Sequence, residues 1–153
     1  MTIDEYINQD IFNPKYLFHG SSNKINVLEP RQSKDNENKY NEDNAVFLTS
    51  SFLTATAYSF RGKLKEVNEK YDFSINNKGE YPVMEFEVDK VPDNLYGYVY
   101  VFENNNDIIK DNKEETTQYR SYKKLKPIDI IKVNYRNYEN YYKKTNINKS
   151  KQR

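Results

Sequence analysis

The stretch Lys15-Tyr16-Leu17-Phe18-His19-Gly20-Ser21-Ser22 is typical of a short β-strand that ends in a turn. Aromatic and aliphatic residues favour the extended backbone, and glycine and serine stop the strand. His19, the only histidine of the chain, lies at the predicted end of this strand. Because Gly20 has no Cβ, the turn can approach a ligand closely, and the imidazole can donate a hydrogen bond to a sugar hydroxyl or a phosphate. The stretch predicts a ligand pocket at His19, and the alternative is a structural histidine that caps a strand end.

The segments around this stretch predict more strands than helices. A short helix is expected within Met1–Gln9, and a longer helix begins after Ser50 or Ser51 and runs toward Gly62. Strands are expected at Ala45–Thr49, Tyr81–Val88, Gly97–Phe102, Gln118–Tyr122 and Ile128–Tyr135. Because strands and helices do not alternate along the chain, the pattern favours an α+β fold over a βαβ parallel sheet.

The length and composition predict one domain with a tyrosine-rich core. A chain of 153 residues can bury roughly 70% of its unfolded surface in a single domain. Hydrophobic residues make up 36% of the chain, and 15 of them are tyrosines. Tyrosine rings must therefore supply much of the packing, while their hydroxyls reach water or a partner. We expect the domain to span residues 1–140 and residues 141–153 to form a polar, mobile tail.

Charge and composition argue against several classes of partner. The formal net charge is +1, which gives no support for a nucleic-acid or membrane partner, and Lys123–Lys126 is expected to be a solvated strand edge. The chain has no cysteine and one histidine, so no disulfide, thiolate nucleophile or metal site is expected. Met1–Pro14 is not a signal peptide, and no apolar segment is long enough to cross a membrane, so a cytoplasmic location is expected.

Two further segments could contribute to a site together with His19. The strand before Ser51 leads into a helix that carries Tyr58, whose ring either packs in the core or offers a stacking face to a planar ligand. A later segment, Gln118-Tyr119-Arg120-Ser121, is by itself a polar edge strand that runs toward Pro127.

In this order, the three segments resemble the ADP-ribosyltransferase superfamily, which includes NAD-dependent toxins, poly-ADP-ribose polymerases and RNA 2′-phosphotransferases. The family's early strand ends in His-Gly-Ser or His-Gly-Thr, which matches His19-Gly20-Ser21. Its second strand is similar to Val46-Phe47-Leu48-Thr49 and leads into a helix with Ala and Tyr, and its late strand opens with Glu and runs toward a proline. The resemblance covers residues 15–135 and implies a split antiparallel β-sheet with few helices and NAD as the substrate.

The resemblance also implies a role for each matching residue. His19 would hold a ribose hydroxyl of NAD, and the backbone of Gly20 and Ser21 would contact the nicotinamide amide. The nicotinamide ring would stack on Tyr58 or on its counterpart Phe47. Thr49 on the second strand would also belong to the NAD-binding residues. Arg31 would contact a phosphate of NAD, and Arg120 is the fallback for the phosphate contact.

The chain departs from the family at Gln118, where the family has a catalytic glutamate. A carboxylate steadies the positive charge that develops as a glycosidic bond breaks, whereas a neutral amide can only orient the ribose. Glu114 and Glu115 lie just upstream, but three residues of extended chain span about 10 Å, so Glu115 reaches the same point only if the chain bends. The catalytic candidates are therefore Gln118, Glu115 and Tyr58.

Three functions are compatible with these features. The first is an enzyme that transfers ADP-ribose from NAD to a protein, nucleic-acid or small-molecule acceptor. The second is a weakly active or inactive module on the same fold that binds a nucleotide or a protein, such as a phage-type inhibitor of a host system, with the polar loops Gln32–Asn44 and Asn104–Glu115 as its contact surface. The third is an RNA-directed enzyme or RNA binder, which the near-zero net charge disfavours.

Overall fold

The computed structural model describes residues 2–25, 27–28, 45–74, 82–86, 89–111 and 116–145. In chain order the elements are α1 (Ile3–Ile7), β1 (Tyr16–Ser21), β2 (Val46–Thr49), α2 (Phe52–Val67), β3 (Asp72–Ser74), β4 (Val83–Glu85), β5 (Tyr96–Glu103), β6 (Ile108–Lys110), β7 (Gln118–Ser121), β8 (Asp129–Asn134), α3 (Tyr135–Tyr138) and β9 (Lys143–Thr145). A 3₁₀ turn, Glu139–Tyr141, follows α3. The expected α+β class with few helices and a mostly antiparallel sheet is confirmed.

The strands form a large sheet and a small one. The large sheet has the order β6-β7-β2-β1-β5-β8, and each neighbouring pair in it is antiparallel. The small sheet has the order β3-β4-β9, in which β3 and β4 are antiparallel and β4 and β9 are parallel.

The large sheet is nearly divided between β1 and β2. Strand β1 pairs with β5 over six residues, from Tyr16 to Ser21, and β2 pairs with β7 over four, from Val46 to Thr49. Across the seam between β1 and β2, by contrast, the described register contains the single pair Phe18–Thr49. The sheet therefore consists of two well-paired halves that separate on either side of this pair.

On both sides of that pair, side chains form hydrogen bonds between the two halves of the sheet. On one side, Nδ1 of His19 lies 2.8 Å from the carbonyl oxygen of Phe47. On the other side, Nε2 of Gln9 donates to the carbonyl oxygens of Tyr16, at 2.8 Å, and Ser50, at 2.9 Å. The Gln9 Oε1 also accepts from the Tyr16 N–H at 3.2 Å. These bonds link the two halves where the ladder is missing.

Helix α2 covers the half of the sheet that contains β1 and β5. Its N-cap is Ser51, whose hydroxyl accepts a hydrogen bond from the Thr54 N–H at 3.2 Å, as the sequence predicted for Ser50 or Ser51. The helix continues beyond Gly62 to Val67, because Leu64 is fully buried and extends its apolar face by another turn.

Two glycines allow α2 to approach the sheet closely. A Cβ on Gly20 would lie 1.9 Å from the carbonyl oxygen of Ala55, and a Cβ on Gly97 would lie 2.4 Å from Oγ of Ser59. The sequence suggested that Gly20 lacks a side chain so that a ligand can approach the turn. In the structure the missing side chain also makes room for the backbone of α2.

The two faces of the large sheet carry separate cores. The core beneath α2 includes Phe18, Phe52 and Phe60, and the core on the opposite face includes Leu17, Leu48 and Tyr100. Tyrosine contributes strongly to both, which confirms the expectation from composition. Among the described residues, the buried tyrosines are Tyr6, Tyr100, Tyr119, Tyr135, Tyr138 and Tyr142.

The packed chain extends beyond the predicted domain boundary at residue 140. Tyr142 is only 5% exposed and packs on Phe60, and Lys143–Thr145 pairs with β4 as β9. The expectation of a mobile tail is therefore wrong for residues 141–145, because Tyr142 anchors this segment. The predicted loop Gln32–Asn44 lies outside the described residues. Within the described segments, no helix combines the length and apolar character that a membrane crossing requires.

We expect Gly20→Ala to lower the thermal unfolding temperature by about 10 °C. Its methyl group would displace the backbone of α2, at a cost of about 3 kcal/mol for a protein of this size. The control is Gly62→Ala on the exposed side of α2, where a Cβ would lie 3.2 Å from Oγ of Ser22, a single side-chain atom rather than helix backbone. This control should unfold at the wild-type temperature or higher, because alanine favours helix over glycine. Equal unfolding temperatures for the two variants would contradict the packing described here.

We expect the free energy of unfolding to fall as the pH rises from about 10 to about 12. Burial, assisted by the charge of Glu139, raises the pKa of Tyr135 from 10.0 to about 12. A pKa that is raised in the folded state contributes stability below pH 10, and this contribution is lost by about pH 12, at up to about 1.4 kcal/mol per pH unit. Urea titrations should show a smaller loss for Tyr135→Phe than for the wild type. A loss in Tyr135→Phe as large as that of the wild type would contradict the assignment.

Candidate functional site

A cleft with a volume of about 760 Å³ opens where β1 and β2 separate. Its walls come from β1, β2, α2 and the start of β7, which are far apart in the sequence. The described residues that line it are Phe18, His19, Gly20, Phe47, Leu48, Thr49, Thr54, Ala55, Tyr58, Arg61, Gly62, Lys65, Thr117 and Gln118. The volume lies in the range of small-molecule binding sites.

His19 is the first residue of β1 beyond the single pair that joins β1 to β2. The sequence placed it at a strand end, but β1 continues through Ser21 because it remains paired with β5. A carbonyl oxygen can only accept, so Nδ1–H of His19 donates to Phe47 and the Nδ1-protonated tautomer is fixed. The ring is therefore held across the seam, at the wall of the cleft.

Thr49 and Gln118 face each other in the register between β2 and β7. The Thr49 hydroxyl accepts from the Ser51 N–H at 3.1 Å, which leads the chain into α2. The backbone of Gln118 is fixed by its neighbours, because its N–H donates to Oγ1 of Thr116 and its carbonyl accepts from the Asp111 N–H, both at 3.1 Å. The exposed side chain of Gln118 thus presents a neutral amide at one wall of the cleft.

Tyr58 leans from α2 into the cleft and is 41% exposed. Its ring packs on Phe73 of β3, with the ring centroids 4.7 Å apart. Burial raises the pKa of the Tyr58 hydroxyl, and the positive charge of Arg61 partly offsets that rise. The phenol is therefore neutral at physiological pH. Tyr58 combines both roles considered from the sequence, since the ring is partly packed and also borders the cleft.

Arg61 and Lys65 line the cleft and were missed by the sequence analysis. They follow Tyr58 at spacings of three and seven residues, so all three lie along one side of α2. The spacing can be read from the sequence, but it places Arg61 and Lys65 on the side of Tyr58 only if the helix continues past Gly62. Among the described lining residues there is no carboxylate, so the cleft wall carries net positive charge.

Ser21 is not among the residues that line the cleft. Its backbone is paired with Tyr98 on β5, and its hydroxyl accepts from the Asn23 N–H at 3.2 Å. The expected contact of the Ser21 backbone with the nicotinamide amide stays a prediction. Two further predicted residues, Arg31 and Glu115, lie outside the described residues.

Arg120, the fallback for a phosphate contact, has a structural role. Its Nε donates to Oδ1 of Asp111 at 2.7 Å, in an ion pair that is largely shielded from water. The hydrogen bond to Asp111 is the main reason that the guanidinium pKa is raised. The guanidinium also lies 5.3 Å from the centroid of the Phe47 ring, one of the rings that line the cleft.

The arrangement favours binding and orientation over proton transfer. Two aromatic rings, Tyr58 and Phe47, can contact a planar group, and two cations can contact an anion. The described lining residues offer no carboxylic acid as a general acid or base. Across the described part of the chain, no three His, Cys, Asp or Glu side chains are grouped closely enough to hold a metal ion.

Comparison with known proteins does not identify a family for this chain. No protein-family model, no curated protein and no solved structure matches it. The chemistry of the cleft therefore has to be inferred from its own residues.

In nitrogen NMR spectra recorded at a pH where the imidazole is uncharged, we expect His19 to be protonated at Nδ1 and unprotonated at Nε2. The reason is the hydrogen bond from Nδ1 to the Phe47 carbonyl. Because His19 is the only histidine, its two ring nitrogens are the only imidazole signals and need no site assignment. A sample acidified until both nitrogens are protonated supplies the reference. A neutral ring protonated at Nε2 would contradict the seam geometry.

Proposed function

We propose that the protein binds NAD in the cleft between β1 and β2 and transfers its ADP-ribose group to an acceptor. The observation that supports this proposal most strongly is a convergence of residues. The positions that resemble those of ADP-ribosyltransferases come from β1, β2, α2 and β7, yet they line one cleft. These positions are His19, Gly20, Phe47, Thr49, Tyr58 and Gln118.

The split in the large sheet is a second, independent support. An ADP-ribosyltransferase-like fold implies a split antiparallel sheet, and here β1 and β2 share a single described pair. The cleft lies at that split and has room for a small organic ligand. In the proposed complex, the nicotinamide ring contacts Tyr58 or Phe47, and His19 contacts a ribose hydroxyl.

In the proposed reaction, the bond between the nicotinamide nitrogen and C1′ of the ribose breaks. Nicotinamide leaves with the bonding electron pair, and an acceptor nucleophile bonds to C1′ and releases its proton to the solvent. The Gln118 amide can accept a hydrogen bond from the ribose, but it contributes no negative charge. We therefore expect a rate lower by on the order of 10²–10³ than a glutamate at this position would allow, with positioning as the main source of catalysis.

A second candidate function is a module that binds a nucleotide or a protein partner without transferring ADP-ribose, as an inhibitor would. The observation that favours it is the absence of a carboxylate from the described lining of the cleft. None of these residues carries a negative charge that could stabilise an oxocarbenium-like transition state. The two functions share the fold and the cleft, and they differ in whether the glycosidic bond of NAD breaks.

We expect the protein to release nicotinamide from NAD, slowly, when cell lysate is supplied as a source of acceptors. Chromatography of the nicotinamide and calorimetric titration with NAD measure turnover and binding separately. His19→Ala and Tyr58→Ala should weaken both, whereas Tyr141→Ala, at a tyrosine with the same 41% exposure on the surface, should change neither. Gln118→Glu should raise turnover by on the order of 10²–10³.

The outcomes separate the candidates. Turnover by the native protein that is lost in Gln118→Ala supports the enzyme. NAD binding without turnover, together with activity created by Gln118→Glu, supports the binding module. If the native protein neither binds NAD nor releases nicotinamide, the transfer reaction and an NAD-binding module are both wrong, and only a module for another nucleotide or for a protein partner is left of these candidates.

A further inference from the structure

We propose that Arg61 and Lys65 form a phosphate-binding subsite that makes the cleft selective for nucleotides carrying a diphosphate. The inference deepens the proposed function and rests on it for the position of the nicotinamide end of the ligand. It adds the chemical class that the C-terminal half of α2 recognises.

The two cations lie on the same side of α2. Arg61 and Lys65 are four residues apart on α2, which separates them by about 6 Å along the helix axis on the same side. Gly62 lies between them and lines the cleft without a side chain. Two cations on either side of this bare backbone can contact one extended anionic group that lies along the helix.

Helix α2 carries more basic than acidic side chains. The 16 residues of α2 include three cations, Arg61, Lys63 and Lys65, and one acid, Glu66. Among the described residues, no carboxylate forms an ion pair with Arg61 or Lys65. Surface cations of a helix are commonly balanced by acids one turn away, and this balance is lacking on the side that borders the cleft.

Lys63, the third cation of α2, differs from Arg61 and Lys65 because it has a structural role. Its Nζ donates to the carbonyl oxygen of Tyr96 at 3.3 Å and lies 3.9 Å from the centroid of that ring. Lys63 is thus bound to β5, away from the cleft. Arg61 lines the cleft instead, and its charge opposes the rise that burial causes in the pKa of the Tyr58 and Tyr71 hydroxyls.

These contacts predict the direction in which a dinucleotide lies. The planar ring sits near Tyr58 and His19, and the diphosphate extends along α2 toward Lys65. A guanidinium can donate two parallel hydrogen bonds to one phosphate, whereas an ammonium acts as a compact charge on the next phosphate. A ligand without phosphates would lose both contacts.

Calorimetric titration with adenosine, AMP, ADP and ADP-ribose tests this selectivity without any bond breaking, because none of these compounds contains nicotinamide. We expect affinity to increase from adenosine to AMP to ADP, with ADP-ribose at least as tight as ADP. Arg61→Ala should weaken ADP-ribose binding about tenfold to hundredfold, and Lys65→Ala should weaken it less. Arg61→Lys, which keeps the charge but loses the paired donors, should fall between the wild type and Arg61→Ala.

Matched controls separate a subsite from general electrostatic attraction. Arg136→Ala and Lys126→Ala each remove one exposed cation that does not line the cleft, and they should leave ADP-ribose affinity unchanged. Raising the salt from about 0.1 to about 1 M shortens the screening length from about 10 to about 3 Å and should weaken ADP-ribose binding while sparing adenosine. Unfolding temperatures of all variants confirm that each is folded.

The inference is overturned if adenosine and ADP bind equally, if ADP-ribose does not bind, or if Arg136→Ala weakens binding as much as Arg61→Ala does. These results are distinguishable from failure of the proposed function. Selective ADP-ribose binding without nicotinamide release from NAD would support the subsite and refute the transfer reaction. Nicotinamide release that is insensitive to Arg61→Ala and Lys65→Ala would support the transfer reaction and refute the subsite.

Discussion

The close contact between helix α2 and strands β1 and β5 is the constraint on which the rest of the structure depends. It exists because Gly20 and Gly97 present no Cβ where the helix backbone and Ser59 pass over the sheet. With the helix at this distance, its apolar side closes the core, and the adjoining side faces the opening between β1 and β2. The same contact thus stabilises the fold and carries Tyr58 and Arg61 to the cleft.

The opening itself follows from a deficit of backbone pairing. A six-stranded sheet with full ladders would leave no space at its centre, but here one described pair joins the two halves. His19 and Gln9 restore the lost hydrogen bonds from their side chains. His19 therefore serves the fold and the cleft together, and the two interpretations of it that the sequence left open are compatible. Its fixed Nδ1–H tautomer suits a residue that positions a ligand.

The local parts of the fold could be predicted from sequence because they depend on neighbouring residues. The helix cap at Ser51 and the strand at Gly97–Phe102 are of this kind. The anchoring of Tyr142 and the reason for Gly20 could not be predicted, because both depend on partners distant in the chain. For the site, the order of motifs predicted which segments meet. It did not reveal Arg61 and Lys65, because the side of α2 that faces the cleft depends on how the helix packs on the sheet.

The central claim is that the cleft between β1 and β2 is the binding site for an NAD-type dinucleotide. The most direct measurement is a titration of nitrogen-labelled protein with NAD, followed residue by residue through the backbone amide signals. The account predicts shifts concentrated at the amides of Gly20, Thr49, Tyr58 and Gln118, which line the cleft from four separate elements. Amides near Leu125, on the opposite face of the sheet, should remain unchanged. An absence of shifts, or shifts confined to the opposite face, would contradict the account.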